Sequence, residues 1–212
     1  MAAFAAECDR GRSVVDLGAG VGAVALALSH FAPGARLELV ERDDTLATLA
    51  EENLSLAHAD GHVHRVDLEQ HGLPEALRGK ADLVVSNPPY FEPGTTREPS
   101  QPRQRAADVG SLSPFLRAAA AALGSRGRAA FVYPARSLPL LLARAESAGL
   151  AAKRLRLVHS TAQSPARLAL IELRPGKSGG LSIEPPLVEW CEPGKRSSEL
   201  GALTEGRAVG RT

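Results

Sequence analysis

The sequence predicts an α/β fold built on one mostly parallel sheet with helices on both faces. Three observations lead to this prediction. From Ser13 onward, short runs rich in valine and leucine alternate with longer alanine- and leucine-rich runs, and such alternation is typical of parallel strands joined by helical crossovers. A glycine-rich turn separates the first short run from the first long one. Near the end, two extended runs follow one another directly, which predicts an antiparallel hairpin at the edge of the sheet.

Seven segments are predicted as strands, because each is a short apolar run bounded by turn residues. They are 13–17, 35–41, 62–68, 81–87, 127–134, 150–160 and 166–173. Four longer segments carry apolar residues at the three- to four-residue spacing of a helix face. They are 21–31, 44–59, 113–124 and 137–149. The helix at 113–124 also has boundary signals, with Ser113 as cap, Pro114 at its first position and Gly124 at its end.

Composition suits a soluble globular protein of one domain, since 212 residues are enough for a sizeable core. A net charge of +1 neither requires nor excludes a nucleic-acid partner. No apolar run approaches the roughly 20 residues of a membrane span, and the first residues lack the basic region of a secretory signal. Cys8 and Cys191 lie near opposite ends without the spacing of a metal or redox site. We therefore expect a cytoplasmic protein with no membrane partner.

Two segments fall outside the regular alternation. Residues 91–110 are rich in proline, arginine and glutamine without periodicity, and a loop of that length within a domain is more often functional than idle. Residues 191–212 are polar and glycine-rich, which predicts a disordered tail. The expected organisation is one domain over 1–190 followed by that tail.

The stretch DLGAGVG (16–22) follows the first predicted strand and opens the first helix. Gly18, Gly20 and Gly22 permit a tight turn and a close approach of a ligand to the backbone at a helix N-terminus. Asp16 precedes these glycines, and an acid at this point would repel a pyrophosphate but suits a ligand with a cationic α-amino group. The loop therefore favours S-adenosylmethionine over a dinucleotide.

Two more carboxylates are predicted to lie beside this loop. Glu41 closes the second strand, 19 residues beyond Gly22, where a carboxylate can accept hydrogen bonds from ribose hydroxyls. Asp67 closes the third strand and can accept from the exocyclic amine of adenine. Because ligands of open α/β sheets bind at the carboxyl ends of the strands, these groups together predict an adenosine pocket.

The fourth predicted strand ends abruptly in Asn87, Pro88, Pro89 and Tyr90. Two consecutive prolines cannot extend a strand, because each lacks a backbone N–H and has a fixed φ. Asn87 can offer its side-chain oxygen and Pro88 its carbonyl to the two N–H groups of a planar amine, which favours a nucleophilic, tetrahedral nitrogen. Tyr90 can stack on the planar substrate. These four residues are the predicted catalytic residues.

The chain resembles the class I S-adenosylmethionine-dependent amino-methyltransferases through VVDLGAGVG (14–22), LVERD (39–43) and DLVVSNPPYF (82–91). It is most similar to the bacterial valine-tRNA adenine-N6 methyltransferase family, through further stretches that end in LSIEPPLVEW (181–190). The resemblance implies a Rossmann-like, seven-stranded methyltransferase sheet and a tRNA substrate. It also implies a cofactor site formed by Asp16, Gly18, Ala19, Gly20, Gly22, Glu41, Arg42, Asp67, Leu68 and Asn87.

Substrate contacts are expected at the rim of this site. Tyr90 and Phe91 would stack on the target base, and basic side chains would contact phosphates. The basic candidates are Arg103 and Arg105 in the long loop, and Lys153 and Arg154 in the sixth strand. A second reading stays open, in which the acceptor is guanine N2, a DNA base or a glutamine amide of a translation factor.

Four histidines cluster in sequence between His58 and His71. They span a helix end, a loop, a strand and a turn, so they do not converge on one surface as a metal site requires. We therefore expect no metal.

Overall fold

The computed structural model describes residues 1–6, 13–90, 112–176 and 179–206. The strands are β1 Ser13–Leu17, β2 Arg36–Glu41, β3 Gly61–Arg65, β4 Ala81–Ser86, β5 Leu123–Pro134, β6 Leu150–His159, β7 Ala166–Pro175, β8 Ser182–Ile183, β9 Leu187–Val188, β10 Trp190–Glu192 and β11 Lys195–Arg196. The helices are α1 Ala2–Ala6, α2 Ala23–Phe31, α3 Asp44–Leu56, α4 Leu112–Ala122, α5 Leu138–Ser147 and α6 Ser198–Thr204.

The main sheet has the strand order β3-β2-β1-β4-β5-β7-β6-β8. Strands β1 to β5 are parallel to one another, whereas β7 is antiparallel to both β5 and β6. The chain moves outward from β1 through β2 to β3, then returns to place β4 on the other side of β1. This reversal is a topological switch point, where an open α/β sheet leaves a crevice at the carboxyl ends of its strands.

Helices cover both faces of the sheet, and the core is accordingly divided in two. One apolar cluster lies between the sheet and helices α4 and α5, and includes the fully buried Phe131 and Leu116. The other lies under α1, α2 and α3, and includes Leu28 and Leu37. Helix α3 begins at its N-cap Asp43, whose carboxylate accepts the N–H groups of Thr45 and Leu46, an arrangement that satisfies N–H groups without a partner inside the helix.

The predicted α/β fold with a terminal antiparallel hairpin is confirmed, and all seven predicted strands are present. The predicted strand count is wrong, because the described part of the chain already contributes nine strands to the main sheet. The two additional strands, β8 and β9, are two residues long and both pair with β6. Their sequences are too short for a period-two pattern, so periodicity alone could not reveal them.

The segment after Trp190 also differs from the prediction of a disordered tail at 191–212. Residues 190–196 form the β10–β11 hairpin, and α6 follows, capped by Ser197, whose Oγ accepts the Leu200 N–H at 3.1 Å. The Glu199 carboxylate accepts from Arg156 of β6 at 2.6 Å. The polar composition that suggested disorder thus includes charges paired with the sheet, while 207–212 lie outside the described residues.

Within the described ranges, none of the helices combines the length and the apolar character that crossing a membrane requires.

Candidate functional site

A cavity of about 510 Å³ opens at the switch point, beside the carboxyl ends of β1, β2 and β4. Seven of the ten predicted cofactor residues line it: Gly18, Gly20, Glu41, Arg42, Asp67, Leu68 and Asn87. Pro89, a predicted catalytic residue, lines it as well. The fold therefore brings the glycine loop, the two strand-end carboxylates and the Asn-Pro-Pro segment to one cavity.

Backbone hydrogen bonds hold the glycine loop against the end of β2. The N–H groups of Gly18 and Ala19 both donate to the Val40 carbonyl, at 2.8 and 3.1 Å. Gly18 has φ +70° and Gly20 has φ +56°, which residues with a Cβ rarely adopt. The loop shape thus depends on glycine and on its bonds to the neighbouring strand.

The Glu41 carboxylate is a further anchor of this loop. It is 8% exposed, and its Oε2 accepts the Gly20 N–H at 2.8 Å. Its Oε1 accepts the N–H groups of Arg42 and Asp43 at 2.8 and 2.9 Å. A carboxylate offers about four lone-pair sites, so three such bonds leave it able to accept from a bound hydroxyl.

Asp67 lies farther along the cavity, two residues beyond the end of β3 at Arg65. Its Oδ1 accepts the Glu69 N–H at 2.8 Å, and its Oδ2 lies 3.9 Å from an Arg42 guanidinium nitrogen. Apolar side chains that sequence reasoning missed complete this wall: Leu46, Leu49 and Val66. Leu46 and Leu49 belong to the helix pattern of α3, and periodicity alone does not distinguish a cavity wall from a core face.

Asp16 and the other two predicted cofactor residues, Ala19 and Gly22, do not line the cavity. Asp16 is 2% exposed, and its Oδ2 accepts the Ala25 N–H in the first turn of α2 at 3.2 Å. Burial raises the pKa of Asp16 to about 7; the Ala25 N–H lowers it and the charge of Glu41 adds to the rise. A direct contact between Asp16 and a cofactor stays a prediction.

The Asn87–Tyr90 segment begins where β4 ends. Ser86 is fully buried, and its Oγ donates to the Leu17 carbonyl at 2.8 Å, which ties the end of β4 to the residue before Gly18. Asn87 is exposed toward the cavity, while the following Pro88 is buried. Tyr90 is 42% exposed, and its hydroxyl donates to Asn87 Oδ1 at 2.6 Å.

Helix α4 adds two residues that the sequence did not assign to the site, Pro114 and Phe115. Phe115 lies directly against the glycine loop: a methyl group placed on Gly18 would come within 2.8 Å of its ring. Glycine at position 18 therefore also makes room for this ring. The signals at the start of α4 predicted a helix boundary, but its position beside the glycine loop is a property of the fold.

The structure does not support the prediction that Arg154 contacts a substrate. Arg154 is 7% exposed, and its guanidinium pairs with Glu172 at 3.3 Å and Glu184 at 3.2 Å. The same group lies 3.8 Å from the centroid of the Phe4 ring. Arg154 is therefore buried beside Phe4 of α1, where a phosphate cannot reach it. Lys153 donates to the Gly179 carbonyl at 2.8 Å, and its contact with a substrate stays a prediction.

Another arginine, Arg167, is near enough to Tyr90 for its charge to act on the phenol. Arg167, at the start of β7, has a side chain 57% exposed that pairs with Glu189 at 2.7 Å. Burial raises the pKa of the Tyr90 phenol, and the nearby Arg167 charge opposes that rise. Three predicted substrate residues lie outside the described residues: Phe91, Arg103 and Arg105.

Two of the four histidines, His62 and His64, take part in side-chain contacts along β2 and β3. His64 Nε2 lies 2.8 Å from a Glu38 carboxylate oxygen, and the His62 and His64 rings meet edge-on at 4.6 Å. In the described part of the chain, no three histidine, cysteine or acidic side chains are arranged to hold a metal ion.

The model of the methyltransferase small domain family matches residues 1–139, a span that contains the whole cavity lining. The chain belongs to the methyltransferase small domain family. Among curated methyltransferases, the tRNA1(Val) (adenine(37)-N6)-methyltransferase of Tolumonas auensis is 33% identical over 141 residues, covering 65% of this chain and 58% of the relative. The release factor glutamine methyltransferase of Mycolicibacterium smegmatis is 39% identical over 97 residues, covering 46% of this chain and 34% of the relative.

The chain therefore spans less than two thirds of the length of these curated relatives. Among solved methyltransferase structures, the crystal structure of a predicted O-methyltransferase from Agrobacterium tumefaciens superposes with a TM-score of 0.75 at 22% identity, covering 99% of this chain and 97% of the other. This likeness confirms the predicted Rossmann-like methyltransferase fold.

Proposed function

We propose that the chain is an S-adenosylmethionine-dependent methyltransferase that methylates the exocyclic N6 amine of an adenine in tRNA. One observation carries this proposal: Asn87, at the end of β4, lines the same cavity as Gly18 and Glu41. A polar group suited to a planar amine and a glycine loop suited to an adenosine ligand thus face a common space.

The residues of the cavity fit the proposed cofactor. Glu41 retains acceptor capacity for ribose hydroxyls, and Asp67 can accept from the adenine amine beside the apolar wall of Leu46 and Leu49. Gly20 lines the cavity, and a methyl group placed on it would meet no atom within 4 Å, so a ligand can approach the backbone there. When bound, S-adenosylmethionine supplies an electrophilic methyl group on a sulfonium.

The proposed role of Asn87 is to orient the acceptor amine. The lone pair of an aromatic amine is delocalised into its ring, and hydrogen bonds from both N–H groups to out-of-plane oxygens favour a tetrahedral, nucleophilic nitrogen. Asn87 Oδ1 and the Pro88 carbonyl are the acceptors for these two N–H groups. No strong base is needed before attack, because the amine proton becomes acidic once the nitrogen carries the methyl group.

Two arguments support tRNA as the proposed substrate: similarity to a curated relative and an exposed positive charge near the site. The Tolumonas auensis relative is named for adenine 37 of a valine tRNA, so this adenine is the first position to examine. Arg167 is an exposed arginine near Tyr90, and its exposed pair with Glu189 is worth only about 0–1 kcal/mol. A phosphate can therefore replace Glu189 at the guanidinium, which makes Arg167 the proposed phosphate contact.

Mass spectrometry of tRNA nucleosides tests this function in cells. A strain that lacks the gene should lose N6-methyladenosine from one tRNA, and the wild-type gene should restore it. The matched control is Asn87→Ala, which should be expressed and folded but should not restore the modification. An unchanged nucleoside profile in the deletion strain would contradict the proposal.

The Mycolicibacterium smegmatis similarity favours a second candidate substrate, a glutamine of a translation release factor. A glutamine amide is also a planar amine, so Asn87 and Pro88 would orient it in the same way. Methylglutamine that disappears from release factors in the deletion strain, with tRNA unchanged, would select this alternative.

A further inference from the structure

The two tyrosines of the chain meet at the Asn87 end of the cavity. The two tyrosines in the sequence are Tyr90 and Tyr133. Their ring centroids lie 5.6 Å apart, and the ring planes meet at 82°. The Tyr90 hydroxyl in turn donates to Asn87 Oδ1 at 2.6 Å. Tyr133 is thus connected to the proposed catalytic amide through Tyr90.

These two rings have different environments. Tyr90 is 42% exposed and follows two prolines, whereas Tyr133 is 2% exposed within β5. The pairing of β4 with β5 ends at Ser86 and Phe131, so Tyr133 lies two residues beyond that last pair. On its other side Tyr133 pairs with Ala169 of β7. The Tyr133 ring, which belongs to a paired strand, therefore contacts Tyr90 in the segment that follows the end of β4.

We propose that Tyr133 is a positioning residue for this site. Its ring contacts Tyr90 edge to face, within the centroid distances that aromatic pairs prefer. That contact fixes the phenol, and the phenol fixes the amide oxygen of Asn87 toward the acceptor amine. Small displacements of reacting groups reduce rates strongly, so a buried side chain that touches no substrate controls the rate. The effect on rate rests on the proposed function, whereas the contact itself does not.

A buried tyrosine can also serve the core alone, and β5 contains a matched control for that role. Phe131 lies two residues earlier on the same strand, belongs to the same apolar cluster as Tyr133 and is fully buried. Truncation of either ring leaves a cavity in that cluster. Among the described residues, the ring in contact with Tyr90 is that of Tyr133 and not that of Phe131.

The test compares Tyr133→Leu, Phe131→Leu and Tyr133→Phe in single-turnover methylation of tRNA, with S-adenosylhomocysteine binding and Tm measured in parallel. Tyr133→Leu should lower the rate by about 10-fold or more while the cofactor Kd stays within about twofold. Phe131→Leu should lower Tm similarly and leave the rate within about threefold, and Tyr133→Phe should retain most of the rate because the ring is kept. Equal rate losses in the two leucine variants would overturn the proposal.

NMR of ring-labelled tyrosine provides a readout that needs no methylation. Tyr133→Leu should shift and narrow the Tyr90 signals, because the ring loses its fixed neighbour, whereas Phe131→Leu should leave them in place. Unmoved Tyr90 signals in Tyr133→Leu would overturn the inference whatever the substrate is. Moved signals without methylation of any tRNA would support the contact and refute the proposed function.

Discussion

The two sides of the cavity are held in different ways. On the proposed cofactor side, backbone N–H groups of Gly18, Ala19 and Gly20 donate to Val40 and Glu41 at the end of the adjacent strand. The proposed substrate side depends on side chains instead: the amide of Asn87 accepts from Tyr90, which contacts Tyr133 of β5. The first side is therefore set by one strand–turn–helix unit and its neighbouring strand. The second depends on rings brought together by the complete sheet.

Substitutions on the two sides should therefore have different effects. Changes on the cofactor side should alter ligand affinity, because backbone anchors and carboxylates there would contact the cofactor. Changes on the substrate side should alter turnover or RNA affinity and leave cofactor binding intact. A third region, the buried ion cluster around Arg154, should affect stability alone.

The largest expected effect is on the free energy of unfolding, which should fall far more in an Arg154 variant than in an Arg167 variant. Arg154→Ala should lower the free energy of unfolding by about 3–5 kcal/mol, because it removes one partner of a buried ion pair. Arg167→Ala should change stability by less than about 1 kcal/mol, since its pair with Glu189 is exposed. Urea denaturation of both variants measures this contrast.

In RNA binding, the Arg167 substitution should have the larger effect and the Arg154 substitution the smaller one. Arg167→Ala should weaken tRNA binding and reduce the slope of log K against log salt by about one unit, as expected for one lost phosphate contact. The folded fraction of Arg154→Ala should keep the wild-type slope. If the Arg154 variant loses slope and the Arg167 variant does not, the assignment of the substrate rim is wrong.

Asn87→Ala should lower turnover by on the order of 100-fold or more, the range for deleting one preorganised polar group. Binding of S-adenosylhomocysteine should remain nearly intact, although Asn87 borders the cavity. Asn87→Asp should be milder, since a carboxylate still accepts from the amine. Single-turnover kinetics with calorimetry of the cofactor measure both quantities, and a near-normal rate in the alanine variant would refute the catalytic assignment.

Glu41→Ala should weaken cofactor binding by roughly 1–3 kcal/mol, because a charged acceptor is lost. The Gly20, Arg42 and Asp43 N–H groups lose their acceptor at the same time, so the loop is loosened as well. Glu41→Gln keeps one oxygen acceptor and should lose less. Calorimetry with S-adenosylhomocysteine checks the order, and binding of NAD in place of this ligand would contradict the cofactor assignment.

The smallest effect concerns pH. The pKa of Asp16 is raised from 3.8 to about 7 by burial, so between these values the folded protein holds a proton that the unfolded chain has lost. Stability from this group therefore falls as pH rises through 7. Relative to Asp16→Asn, the wild-type free energy of unfolding should fall by about 1 kcal/mol from pH 6 to pH 8. Urea denaturation at several pH values measures it; a pH-independent difference would contradict the burial argument.

The position of the glycine loop beside two strand-end carboxylates could be predicted from the sequence for a physical reason. Glycines with positive φ and carboxylates at strand ends are local features, and the parallel order of β1 to β3 brings them together. Phe115 was missed because its contact with Gly18 depends on how α4 packs. Arg154 was assigned to the surface because charge in a strand suggests exposure, whereas Glu172 and Glu184 make burial of that charge possible.

The most direct measurement offers the purified chain three acceptors with labelled S-adenosylmethionine: tRNA, a DNA duplex and a release-factor glutamine peptide. The products are then identified by mass spectrometry, with Asn87→Ala as the control that should lose every signal. We predict label in tRNA as N6-methyladenosine. Label only in DNA or only as methylglutamine would contradict the tRNA assignment, and label that persists in Asn87→Ala would contradict the shared site.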